Sequence, residues 1–232
     1  MQKKIVVHMY LKNGKAVTGF DGKELLEDGD VMSIAQHYSN NGADELLIFD
    51  LSDDDADHEQ SLNLIRQISR VIDIPMSGGG HIKNLEDVKK LLYAGCQQVF
   101  LNYAKAANIE LTEEVSKRFG KEKIAICTDS FAQLQANKAR VNEYTSRVIL
   151  LCDEVDVRTT ARLVEVPVLP VSTRADRHGL LKLLMLDNIC GVCGDTFSDL
   201  NEDLMAAKLE AKKHGVEINT FESKMSWNEL KL

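Results

Sequence analysis

Residues Asp73–Ile82, DIPMSGGGHI, carry a short apolar segment straight into three glycines and then to Asn84, where a helical pattern begins. Glycines at such a point let the chain turn sharply, and their bare N–H groups, with a helix start behind them, favour an anion. Two readings stand side by side: a phosphate-holding turn, or a tight strand-to-helix connection that binds nothing. The place of this run in a repeating chain bears on the choice.

Outward from the glycines, eight runs rich in Ile, Val, Leu and Phe recur. They lie at Lys4–Tyr10, Glu45–Asp50, Ile74–Gly78, Gln98–Asn102, Lys123–Thr128, Arg147–Cys152, Val166–Val171 and Ile189–Gly194. Amphipathic stretches with helical spacing separate them, for example Val88, Leu91, Leu92 and Cys96, and N-caps are read at Asp30, Asn84, Asn108 and Asp199. From the second run on, one strand and one helix repeat about every 25 residues. Continuous apolar strands joined through helices imply a parallel sheet covered on both faces. Eight such units imply a single closed (β/α)8 barrel of the TIM type, with a doubly wound open sheet as the alternative.

The 232 residues are 44% hydrophobic and 28% charged, ordinary for one globular domain with a substantial core. A net charge of −8 argues against nucleic acid as a partner, since phosphate backbones are met by clustered Lys and Arg. No signal peptide and no membrane-spanning segment is read, and a cytoplasmic location is expected. Most of the five cysteines lie in apolar runs and read as reduced, buried thiols. Cys190 and Cys193 form C-x-x-C without a second pair to complete a metal site; no metal and no cofactor is expected.

In a barrel the site lies where strands end and helices begin, and the glycine run is at that end of the third strand. The other strand ends carry Tyr10 and then Lys12 in the loop Leu11–Phe20, Asp50 before the acidic run Asp53–Asp55, Asn102, Asp129, Asp153-Glu154, Ser172-Thr173-Arg174 and Asp195. Asp129 reads either as a general acid or base raised by partial burial or as the N-cap of the next helix. Asp53–Asp55 reads as a solvated charge run rather than a cation site. His81 reads as a loop histidine that caps the helix rather than as a ligand.

KNGKAVTGF after the first strand, NNGADELLIFDL around the second, IPMSGGGHI at the third, LLYAGCQQVFLN into the fourth and FGKEKIAICTD into the fifth resemble one family. It is that of the cyclase subunit of imidazole glycerol phosphate synthase and its paralogue the ProFAR isomerase, both of histidine biosynthesis. The resemblance covers about the first 130 residues, and AKKHGVEI resembles the family's last helix. It implies a ribulose-phosphate-binding type of barrel with catalytic aspartates at the ends of strands one and five and one phosphate site in each half. Asp129 falls on the strand-five aspartate, Asn102 on an asparagine near the substrate, and Gly79 and Gly80, with Gly78 before them, on the first phosphate loop. Lys12 and Asp50 join them as binding candidates for a phosphorylated sugar or nucleotide.

The departures are as specific as the matches. Tyr10 stands where the strand-one aspartate belongs, and His81 replaces the last glycine of the loop. CDEVDVRT and STRADR replace the glycine-containing loops after strands six and seven, so the second half is read as degenerate. The barrel is expected over residues 1–218. The tail 219–232, with Trp227, resembles the joint that links a degenerate barrel of this family to a phosphoribosyl-AMP cyclohydrolase and phosphoribosyl-ATP pyrophosphohydrolase, a fused or docked hydrolase partner. The barrel alone is then expected to be non-catalytic. An active lyase-cyclase or isomerase, and a one-site phosphate-binding module, are the alternatives.

Overall fold

A computed structural model describes residues 1–26, 30–153 and 155–220. Eight parallel strands form a ring: β1 (Lys4–Lys12), β4 (Glu45–Asp50), β5 (Met76–Gly79), β6 (Gln98–Asn102), β7 (Ile124–Thr128), β8 (Arg147–Leu151), β9 (Val168–Ser172) and β10 (Gly191–Gly194). Each pairs with the next, and β10 closes on β1 through Lys4 opposite Gly191, Ile5 opposite Val192 and Val6 opposite Cys193. The expected (β/α)8 barrel is therefore present and the open sheet is excluded.

The period-two alternation of each strand sorts its side chains. In β1, Ile5, Val7, Met9 and Leu11 join the layer under the helices, whereas Val6 and Tyr10 point into the ring with Leu47, Phe49, Phe100, Ile149 and Leu169. The floor of the ring is polar. Arg147 reaches Glu45 with both terminal nitrogens, Ser77 Oγ at 2.9 Å and Gln98 Oε1 at 2.5 Å, while Lys4 Nζ lies 3.2 Å from Glu45. Every charge there has a partner, as burial requires.

Around the ring run α1 (Val31–Asn40), α2 (Asp55–Ile68), α3 (Leu85–Tyr93), α4 (Ala106–Phe119), the pair α5 (Phe131–Ala136) and α6 (Lys138–Tyr144), α7 (Val157–Leu163), α8 (Arg177–Leu183), the single turn α9 (Asp195–Ser198) and α10 (Leu204–Lys213). Asp30 and Asn84 cap α1 and α3 as expected, the latter in a full capping box. Two expected caps are displaced. Asn108 is buried inside α4, which starts after Lys105 without a side-chain cap, and Asp199 follows α9 while Asp203 caps α10. None of the described helices is long and apolar enough to cross a membrane.

The segment read as the loop Leu11–Phe20 is instead largely a hairpin. β2 (Lys15–Thr18) folds back antiparallel on Tyr10–Lys12, and β3 (Glu24–Leu25) extends it. Asn13 and Gly14 at φ +50° and +67° make the tight turn, the left-handed pair that a two-residue hairpin demands. Lys3 bridges to Ile218, joining the two ends of the barrel region. The tail's Trp227 lies outside the described residues.

Candidate functional site

The mouth of the ring holds a cavity of about 410 Å³ on its first-half side. Lys12, Gly79, Gly80, Asn102 and Asp129 all line it, so the strand-end rule brings five candidates from β1, β5, β6 and β7 to one place. Thr128, named with Asp129 at the fifth strand end, also lines it, as do Lys105 and three phenylalanines, Phe20, Phe49 and Phe100, which were not anticipated.

The glycines are required by packing. A β-carbon on Gly79 would run into the Phe100 ring and lie 2.5 Å from the Phe100 carbonyl oxygen; one on Gly80, at φ +115°, would meet the Asp50 backbone. Gly78 does not face the cavity: its missing side chain points at Cys96 Sγ and Leu91, under α3. The tight approach of β4 and β6 to β5 accounts for Gly79 and Gly80, and the packing of α3 and Cys96 for Gly78. It leaves the turn open on the cavity side only at Gly79 and Gly80.

Asp129 is exposed, so the partial burial expected of it is not found. It does not cap α5 either, because Ser130 does. Among the described residues its carboxylate has no hydrogen bond or ion pair, and it faces the cavity free. Asn102 Oδ1 accepts from Ala104 N at 2.9 Å, and Lys12 Nζ is paired with Asp53 at 3.0 Å. Asp50 borders the cavity, yet its carboxylate is fully buried, 2.5 Å from His58 Nδ1 and bonded to Ser52 N at 3.1 Å. The inward parity of Leu47 and Phe49 turns Asp50 outward, toward α2.

The acidic run is split three ways. Asp53 pairs with Lys12, Asp54 caps α2, and Asp55 takes Lys83 Nζ at 2.6 Å and His81 Nε2 at 2.7 Å. The hydrogen bonds from Lys83 and then His81 hold Asp55 down at about 2. Among the described residues no group of three or more His, Cys, Asp and Glu is arranged to hold a metal ion. His81 does not cap α3; Asn84 does, and His81 reaches across to the neighbouring turn.

Tyr10 occupies the ring where the resemblance places an aspartate. Its ring packs against His8, Phe20 and Phe49 at centroid distances of 4.9, 4.7 and 5.4 Å, and its hydroxyl is buried without a partner. Burial and the nearby Asp195 push that phenol well above its ordinary range, so the hydroxyl keeps its proton. Tyr10, Phe20, Phe49 and Phe100 form an aromatic wall across the mouth. The first-half cavity lies on one side; a second cavity of about 610 Å³, bordered by Tyr10, Val17, Tyr38 and Asp195, lies on the other.

In the second half, backbone donors after β9 are already taken. Asp153 accepts from Thr173 N at 3.1 Å, Thr173 Oγ1 and Ser172 Oγ, and Ser172 Oγ accepts in turn from Ala175 N at 2.9 Å. Burial opposes the charge on Asp153, and the hydrogen bonds from Ser172 and Thr173 outweigh it and hold the carboxyl below its usual range. Glu154 lies outside the described residues.

One constellation joins residues that the sequence offered only singly. His8 Nδ1 lies 3.3 Å from Cys193 Sγ and its Nε2 3.0 Å from Asp195. The order thiol, imidazole, carboxylate is that of a nucleophilic triad. Cys193 is fully buried, however, and burial pushes its thiol well up, so the group serves as a bolt across the β1–β10 seam. Cys190 sits apart from it, at the floor beside Arg147.

Comparison with known proteins gives this geometry its context. The chain is similar to the imidazole glycerol phosphate synthase subunit HisF of Flavobacterium psychrophilum, 33% identical over 130 residues, 56% of this chain and 52% of the relative. It is similar to the subunit of the same name from Haemophilus influenzae, 32% identical over 162 residues (69% and 60%), and from Helicobacter hepaticus, 34% over 132 residues (56% and 51%). The chain thus spans about half the length of the relatives it matches. The family model described as histidine biosynthesis protein matches residues 4–187, the ring from β1 through β9 and the helices between, and by that match the chain belongs to the histidine biosynthesis protein family.

Proposed function

We propose that this chain is a histidine-biosynthesis barrel that has lost the lyase-cyclase and isomerase chemistry of its relatives and keeps a one-ended site for a phosphorylated sugar or nucleotide. The observation that carries this is Tyr10. With an aromatic ring at the strand-one position, the carboxylate that the family resemblance pairs with Asp129 is missing, and general acid–base catalysis, typically worth about 10²–10⁴-fold, lacks one member. The aromatic wall and the engaged Asp153 support the second part, since a ligand with a phosphate at each end would meet a barrier and a filled turn. The cavity lined by Gly79, Gly80, Lys12 and Asn102 then holds the single phosphate. In this reading the barrel serves beside a histidine-biosynthetic hydrolase of the phosphoribosyl-AMP cyclohydrolase and phosphoribosyl-ATP pyrophosphohydrolase kind, fused or docked, by retaining ligand or supporting its fold.

The test uses the purified full chain. Turnover of the cyclase and isomerase substrates is expected to stay at background, while ribose 5-phosphate binds weakly and less so in Lys12→Ala and Asn102→Ala. Steady turnover that disappears in Asp129→Asn would show the active-enzyme alternative to be right.

A further inference from the structure

His81 follows the glycine run at φ +50°, a left-handed conformation that costs a residue with a β-carbon. Its ring is 7% exposed and both nitrogens are engaged: Nδ1 lies 3.1 Å from the Ser52 carbonyl oxygen, Nε2 2.7 Å from Asp55 Oδ1. A carbonyl and a carboxylate only accept. A neutral imidazole has one N–H and can satisfy one of them; both contacts are hydrogen bonds only when both nitrogens carry protons.

The groups packed around the ring define its setting. His58 of α2 stacks on it at 4.9 Å and 26°. His58 Nδ1 lies 2.5 Å from Asp50 Oδ2, and its buried Nε2 has no partner among the described residues. Lys83 shares Asp55 Oδ1, and Asp53 is drawn off by Lys12. Asp55 Oδ1 therefore lies within reach of both Lys83 Nζ and His81 Nε2, while Asp50 is engaged by His58.

We propose that His81 is a proton-dependent clasp between the β4–α2 and β5–α3 turns, and that its doubly protonated form supplies a positive charge to the wall of the first-half cavity, whose occupant is an oxyanion. The second clause rests on the one-phosphate reading of that cavity. Loss of one ring proton opens one of the two bonds, weakening a junction that Lys83 and Asp55 still hold, and removes the charge at the same time.

The test takes the ring and the ligand separately. Nitrogen-15 spectra of the ligand-free chain between pH 5.5 and 8 report the protonation of each His81 nitrogen, and Asp55→Asn is expected to give up the second ring proton at lower pH than the parent. Inorganic sulfate, whose charge is constant over that range, is the binding probe. The parent is expected to bind it about tenfold more tightly at the acid end, the scale of one charge-assisted contact. His81→Gly, which suits the positive φ and so preserves the fold, is expected to bind it with no such dependence. A ring holding one proton throughout, unmoved by Asp55→Asn, overturns the clasp whether or not sulfate binds. The expected ring titration with no sulfate binding at any pH upholds the clasp and overturns the occupant, and the proposed function with it.

Discussion

The carboxylate of Asp153, at the end of β8, lies 3.1 Å from the backbone nitrogen of Thr173, at the end of β9, and so fills with a side chain the turn where an external anion would have to sit. Asp153→Ala should cost roughly 1–3 kcal/mol by leaving the Thr173 N–H and two hydroxyls without their acceptor. The depressed Asp153 carboxyl adds a sign: its stabilisation is present above the ordinary carboxylate range and is lost as pH falls through the folded value. Urea unfolding of parent and variant should therefore converge toward low pH, and a gap that widens on acidification would count against this role.

The floor gives a larger effect. Glu45, in spite of burial, is held down at about 2 by Arg147, Lys4 and Ser77. Arg147→Met leaves that carboxylate buried without its main partner and should destabilise by about 3–5 kcal/mol. By linkage, a depressed carboxyl stabilises above its unfolded value near 4.5 and loses this as pH falls toward 2. The gap in stability between parent and variant should thus narrow as pH falls toward 2, as followed by urea unfolding with circular dichroism.

Tyr10→Phe should stabilise the barrel by about 1 kcal/mol, since it removes a buried hydroxyl that has no partner and keeps the ring contacts with His8, Phe20 and Phe49. Denaturation midpoints decide this. A loss of stability would mean that the hydroxyl is satisfied in solution.

Gly79→Val and Gly80→Ala should lower the melting temperature sharply before they say anything about ligand binding. The first drives a side chain into Phe100 and the second combines a positive φ with contact on the Asp50 backbone. Lys12→Ala, at the rim, should leave the melting temperature nearly unchanged, and so it is the cleaner probe of anion binding.

Much of this was legible in the chain. The eight apolar runs, their spacing and the rule that barrel sites lie at strand ends bring Lys12, Gly79, Gly80, Asn102 and Asp129 to one cavity. Strand parity would also have turned the Asp50 carboxylate outward, because Leu47 and Phe49 alternate with it, and Asn13-Gly14 carried the signature of a hairpin turn. Other features depend on contacts between distant segments. Phe20 reaches Phe49 only because the hairpin folds over the mouth, Asp153 meets Thr173 across a strand pair, and His8 meets Cys193 only when the ring closes. No local pattern encodes such meetings.

That closure has a consequence for synthesis and truncation. The strand that completes the ring, Gly191–Gly194, is short, comes last, and bonds to β1, the earliest strand of all. Until it emerges, the growing sheet has two bare edges, at Lys4–Val6 of β1 and at β9, each a template for pairing with another chain. A fragment ending at residue 187, where the family match stops, would keep both edges permanently, and its natural fate is aggregation rather than a smaller barrel.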